Sequence, residues 1–181
     1  MINTQSQCNW KTDIITMEEY NNNWFSYRNK LYEIFKRDFI DNILYYKGKE
    51  INCRIDPIHN NYEYGFIHLT EKKRKDNGDW SDRIPDFRRC ERIEWNKLYI
   101  EHYLCNKTCH LTSCKGIEYY EFWFHSKIRL VFISIEDRFK VILEKRTNYY
   151  LLITGYYIDE ENIKSEEKRI EKFKQQKTPL D

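Results

Sequence analysis

After Gly116 the hydrophobic pattern takes a period of two and keeps it through four runs, at 117–125, 128–135, 139–144 and 149–158. Apolar residues at every second position turn one face of an extended chain toward a core, so each run predicts a strand. The connections at Glu136-Asp137 and Arg146-Thr147-Asn148 are too short to carry a crossover, which makes consecutive strands antiparallel neighbours. A four-stranded meander of this kind cannot bury its own inner face. It needs helices against it.

The rest of the chain supplies them. Trp24, Tyr27, Leu31, Ile34 and Phe35 recur at steps of three and four, predicting a long helix over 18–41 with one apolar stripe. Trp95, Leu98, Tyr99 and His102 share that spacing and predict a shorter helix over 94–104. From 159 onward the chain is polar and helix-favouring, with Ile163, Ile170 and Phe173 as its few apolar anchors. Residues 44–51 read as a hairpin turning at Gly48, and 62–69 as another short extended piece. The run 72–82, with Lys72-Lys73-Arg74-Lys75, reads as a solvated loop. Residues 1–17 lack a period and read as a loose lead-in to a single domain over 18–181. The expected fold class is α+β, with helices packed on a four-stranded antiparallel sheet.

Composition excludes several functions. At 181 residues, 40% of them hydrophobic, the chain is long enough for one domain with a substantial core. A formal charge of +2 is too small for a wholly basic nucleic-acid binder, so any basic site must be local. No run approaches the roughly 18 apolar residues that span a bilayer, and the N-terminus lacks the basic-then-apolar order of a signal peptide. A cytoplasmic protein with no membrane partner is expected, and its six cysteines then read as thiols or metal ligands. The sequence contains no His-Glu-x-x-His, no phosphate-cradling Gly-rich loop ending in Lys-Ser or Lys-Thr, and no Gly-x-Ser-x-Gly elbow.

Three features carry candidate chemistry. Residues 83–95 hold four arginines and three carboxylates among Phe87, Ile93 and Trp95. Arginine presents a planar, permanently charged fork that matches phosphate oxygens, although an arginine near a sheet is more often a surface ion pair. His68, in Gly65-Phe-Ile-His-Leu69, is able to move a proton near neutral pH, whereas a single histidine among aromatics is usually a packed ring. Arg129, Thr154 and Tyr157 lie on the meander. A phosphodiester cleaved without metal needs a proton acceptor, a proton donor and fixed cations, and these side chains are able to supply them. Separately, Cys105, Cys109 and Cys114, with His102 or His110 as a fourth ligand, are able to close a structural zinc site; free thiols in a loop are the plainer reading.

The order of these motifs resembles a family. Gly65-Phe-Ile-His68-Leu, Ile84-Pro-Asp followed by Arg88-Arg-Cys-Glu-Arg-Ile93-x-Trp95, Arg129 on a strand, and Leu143-Glu-Lys-Arg146 with Tyr149-Tyr-Leu-Leu-Ile-Thr154-Gly-Tyr-Tyr157 resemble phage-related members of the barnase/EndoU/colicin/RelE (BECR) ribonuclease superfamily. The resemblance runs from about Trp24 to the terminal helix. Where such proteins tend to carry Thr-Ala-Tyr, this chain has Thr154-Gly155-Tyr156, a small-for-small change.

The resemblance implies helices on one face of a four-stranded antiparallel sheet, with the active surface on its other side or edge. It implies RNA cleavage that needs no cofactor and leaves a 2′,3′-cyclic phosphate, in a toxin or defence effector restrained by an inhibitor or antitoxin protein. Carried over by position, His68 is acid or base, Arg89 and Arg129 steady the phosphorane, and Thr154 and Tyr157 hold or protonate a phosphate oxygen. Alternation puts Thr154 and Tyr157 on opposite strand faces, which makes Tyr156 the substitute. Arg88 and Arg92 either pair with Glu91, Glu94 or Asp86 or touch RNA. A non-catalytic RNA-binding or protein-interaction module on the same fold is the alternative, with Trp80, Trp123 and the tyrosine pairs stacking bases or lining a protein interface.

Overall fold

Three consecutive asparagines divide the long helix expected at the N-terminal side. The computed structural model, which describes residues 10–74, 83–105 and 116–177, has a 3-10 turn at Glu18–Tyr20 and helix α1 at Trp24–Phe39. Between them Asn21 and Asn22 adopt φ of 53° and 56°, a left-handed conformation that asparagine tolerates better than most residues. Asn23 then caps α1, its side chain accepting from the Ser26 amide at 3.0 Å. Tyr27, Leu31, Ile34, Phe35 and Phe39 are the buried stripe. Nor are residues 10–17 a loose lead-in. Trp10, Ile15 and Met17 pack on the core, the Trp95 indole donates to the Thr12 carbonyl, and the Tyr27 hydroxyl donates to the Ile15 carbonyl.

The meander is present as β5 (Glu118–Phe124), β6 (Lys127–Ser134), β7 (Phe139–Lys145) and β8 (Tyr150–Tyr157), all antiparallel. The sheet, however, has six strands rather than four. The hairpin of β1 (Leu44–Tyr46) and β2 (Lys49–Cys53) joins it, β2 lying parallel to β8 with Ile51 opposite Tyr150. The order is β1-β2-β8-β7-β6-β5. Alternation records which face a residue occupies, not which distant strand lies beside it, so the parallel pairing is absent from the local pattern.

A second correction concerns 62–69, which contains a helix rather than a strand. Helix α2 (Tyr64–Thr70) buries Gly65, Phe66, Ile67, Leu69 and Thr70, a nearly continuous apolar run in which no period shows. A Cβ on Gly65 would stand 3.1 Å from the Arg54 carbonyl and 3.2 Å from the Cys53 side chain, so glycine lets α2 sit against the end of β2. Residues 71–73 and 83–85, expected in part as loop, form a two-stranded ribbon of β3 (Glu71–Lys73) and β4 (Arg83–Pro85). It leads into α3 (Phe87–Cys90) and α4 (Trp95–Glu101).

Helices cover both faces of the sheet, not one. Side chains from α1, α2, α3 and α4 pack over Phe132, Phe139, Val141, Leu143, Tyr150 and Leu152. Across the sheet, α5 (Glu160–Lys177) lays Ile163, Ile170 and Phe173 on Tyr120, Val131, Ile133 and Ile142. A buried ionic knot fixes it there: Glu166, 3% exposed, accepts from Lys140 at 2.9 Å, Arg169 at 2.8 Å and the Tyr120 hydroxyl at 2.6 Å. Burial alone would push the Glu166 carboxyl up, but those three donors hold it below the ordinary carboxylate value.

Close contact also decides residue 155. A Cβ there would meet the Asn96 side-chain oxygen at 1.8 Å and Phe139 at 3.2 Å, so alanine does not fit while Asn96 holds its place on α4. Gly155→Ala is expected to destabilise the protein by about 1–3 kcal/mol, the usual cost of overpacking, with Asn96→Ala in the same chain recovering part of the loss. Denaturant unfolding measures both. An unchanged midpoint for Gly155→Ala would show that α4 does not press on β8.

Candidate functional site

The site begins with one extra residue in β8. Leu143 pairs with Leu152 but Ile142 pairs with Thr154, so Ile153 is a bulge. Up to the bulge, Tyr150 and Leu152 face the four-helix side. Beyond it, Ile153, Thr154 and Tyr156 share the α5 side, opposite Ile142 and Lys140, while Gly155 faces α4. Arg129 and Glu144 belong to the same face, because each is two residues along its strand from the Val131 and Ile142 that pack beneath α5.

Arg89 ties this face to the helices beyond it. Its Nη1 donates to the carbonyls of His68 at 3.0 Å and Glu71 at 3.1 Å and lies 3.5 Å from the Thr154 hydroxyl, which itself donates to the His68 carbonyl at 3.1 Å. The guanidinium stands 5.2 Å from the centre of the Tyr156 ring, and burial pulls its pKa down. Arg89 is thus first a clamp, joining α2, β3, α3 and β8. Arg92 donates to Glu91, one of the pairings expected for it. Arg88 instead reaches Asp159 at 2.6 Å and is more than half exposed. Both Arg88 and Arg92 stack on Tyr157, whose hydroxyl accepts from Arg138 at 3.4 Å. Tyr157 therefore stands apart from Arg89 and Thr154, and Tyr156 joins them.

His68 and Arg129 meet in a second depression on the same face. A cavity of about 160 Å³ is lined by Arg54, Tyr64, His68, Arg129, Glu144 and Arg146 together with Gly65 and residues of β8. The imidazole lies 4.3 Å from the Tyr64 ring, and its Nε2 is buried with no hydrogen-bond partner. Burial, with Arg83, Arg89, Arg54 and Lys73 adding repulsion, pulls its pKa down to about 4, so the ring is neutral at pH 7. Arg129 and Arg146 are held by Glu144 at 3.4 Å and 2.6 Å.

Beside it lies a larger cleft, of about 720 Å³, between the β3–β4 ribbon and α5. Lys72, Lys73, Arg74, Arg89, Lys140 and Arg169 line it, against Asp86, Asp159 and Glu166, with Tyr156 and Tyr157 in its wall. Lys73 and Arg74 make no ion pair among the described residues. Their run reads from sequence as a solvated loop because nothing local shows that the ribbon carries it to a cleft wall. Arg54 likewise reads from sequence as an isolated charge, and Arg146 only as the end of the Leu143-Glu-Lys-Arg146 motif.

Comparison with protein-family models, curated proteins and solved structures finds no match for this chain. What the site is able to do rests on its own residues. Of the expected zinc ligands, His102 stacks on Trp10 at 4.8 Å and Cys105 is a half-buried free thiol, while Cys109, His110 and Cys114, like Trp80, lie outside the described residues.

The buried imidazole makes a pH prediction. Its folded pKa of about 4 lies below the unfolded value of about 6.5, so between those values the unfolded chain binds the extra proton and stability falls as pH falls. His68→Gln is expected to remove up to about 1.4 kcal/mol per pH unit from the stability slope in that window. Chemical denaturation of both proteins across pH 4–7 measures it; parallel slopes would place His68 in water.

Proposed function

We propose that the chain is an endoribonuclease that cleaves RNA without a metal, by attack of a 2′-hydroxyl on the adjoining phosphate. The observation that carries the reading is the neutral imidazole of His68, its Nε2 buried without a partner, in the wall of a cavity shared with Arg54, Arg129 and Arg146, next to a cleft lined by further cations. A neutral imidazole nitrogen accepts a proton, and the ligand that suits it here pairs a hydroxyl with an anion. A ribose 2′-hydroxyl beside its own phosphate is such a ligand.

In the proposed step Nε2 takes the 2′-hydroxyl proton while that oxygen attacks phosphorus. The arginines offset the charge on the phosphorane. The bond to the 5′-oxygen breaks, that oxygen takes a proton, with the Tyr64 phenol in the same cavity as donor, and the ends are a 2′,3′-cyclic phosphate and a 5′-hydroxyl. Because Nε2 has almost no contact with solvent, substrate reaches it when a lining side chain turns aside. Arg89 and Thr154 act at one remove, since both hold the His68 carbonyl. Such an activity belongs in the cytoplasm and implies an inhibitor protein, and the cationic cleft is the surface it would cover.

A second reading, RNA binding without cleavage, is favoured by the covered Nε2 and by the pairing of Arg129 with Glu144. One experiment separates the two. In excess EDTA the wild-type protein is expected to shorten single-stranded RNA to cyclic phosphate ends, and His68→Ala to do so about 100-fold or more slowly with its gel-shift affinity retained. Intact but retarded RNA would establish the binding module; RNA neither cut nor retarded would overturn both readings. Lys73→Glu with Arg74→Glu is expected to weaken binding at least tenfold and to flatten its dependence on salt by roughly two phosphate contacts.

A further inference from the structure

The β5–β6 hairpin carries a large aromatic side chain that the core does not use. Trp123 is 72% exposed and lines a shallow hollow of about 330 Å³ with Ser126, Lys127, Ile128, Lys145, Arg146 and Thr147. That lining holds three cations, of which Lys127 and Arg146 reach Glu144 at 3.7 Å and 2.6 Å while Lys145 does not. Neighbouring Phe124 differs, because Arg129 stands over its ring at 3.7 Å and occupies that face. Lys145 is exposed and makes no ion pair among the described residues.

Arg146 connects this hollow to the candidate active cavity, since it lines both. Trp123 pairs with Ile128, whose side chain packs toward the four-helix core, so the indole sits on the sheet face opposite Arg129. The two hollows therefore meet around the end of the sheet, where β7 turns into β8. A strand leaving the His68 cavity past Arg146 arrives at the indole after rounding that end. A polymer that turns around a sheet edge must be flexible, and one that stacks on an exposed ring must offer an unpaired base.

We infer that Trp123 is a base-stacking platform for single-stranded RNA, with Lys145 meeting the adjoining phosphate and Lys127 and Arg146, both also paired with Glu144, flanking it. This rests on the reading of the chain as an RNA-binding enzyme and adds the substrate class: single-stranded, and long enough to reach from the cleft to the hairpin. A rigid duplex fills the cleft and misses the platform.

The test is the affinity of Trp123→Ala and Trp123→Phe for a single-stranded RNA of about 12 nucleotides and for a duplex of the same sequence. The side chain is exposed, so both variants fold. Trp123→Ala is expected to weaken single-strand binding by roughly five- to a hundred-fold, the effect of losing one base–aromatic stack, with Trp123→Phe restoring most of it and duplex binding unchanged. Unchanged single-strand affinity in Trp123→Ala would overturn the platform while Lys73→Glu with Arg74→Glu still tested the cleft. Equal losses on both RNAs would overturn the single-strand preference. A wild-type protein that binds neither RNA would fail at the proposed function itself.

Discussion

The Arg89 guanidinium donates to the carbonyls of His68 and Glu71 and lies against Thr154 and Tyr156. It joins α2, β3, α3 and β8, and each partner would lose something without it. The end of α2 presents its carbonyl where β3 begins, and a buried carbonyl left without a donor costs about 1–3 kcal/mol. Arg89 is a cation enclosed by protein, and its neighbours Arg28 and Arg83 also converge on Glu71. Burial raises the Glu71 carboxyl pKa, while those two arginines pull it back. The concentration of positive charge behind His68 follows from this packing, and it is one reason that the imidazole remains neutral.

The bulge at Ile153 does the complementary work on the sheet. Without it, strict alternation from Leu152 would turn Thr154 toward the four-helix core and Tyr156 with it. With it, Thr154 and Tyr156 reach the face that holds Lys140, Glu144 and Arg129, and Gly155 falls under Asn96. The parallel pairing of β2 with β8 brings Arg54, just past the end of β2, to the same cavity as His68. Clamp, bulge and crossover together place a neutral imidazole, three arginines and a cationic cleft on one surface.

The meander was legible because period-two alternation and two- and three-residue connections leave a single arrangement for neighbouring strands. α1 was legible from its stripe, although Asn21 and Asn22 end the preceding turn by backbone conformation, which hydrophobic period does not register. The parallel β2–β8 pair and helix α2 were not legible: one is a long-range pairing, the other a short apolar run without phase. At the site, His68 and Arg129 line one cavity, a meeting of residues far apart in sequence that only the fold shows. The placement of Arg89 shows the limit of reading charge from sequence. Four arginines in a segment announce that something anionic must be met, yet only the fold shows that Arg89 meets backbone carbonyls as well as Asp86, Arg92 meets Glu91 and Arg88 stands in solvent beside Asp159. Alternation alone puts Tyr156 on the same face as Thr154, and the bulge decides which side of the sheet that face is.

The central proposal is that RNA lies across the α5 face of the sheet, from the ribbon of β3 and β4 past His68, and then rounds the end of the sheet to Trp123 on the opposite face. Photocrosslinking with a 4-thiouridine-substituted single strand, followed by mass spectrometry of the adducts, tests it most directly. The account predicts adducts at Tyr156, Tyr157, Tyr64 and Trp123. Adducts confined to other surfaces, such as exposed Phe25 on α1 or Tyr45 on β1, would contradict it.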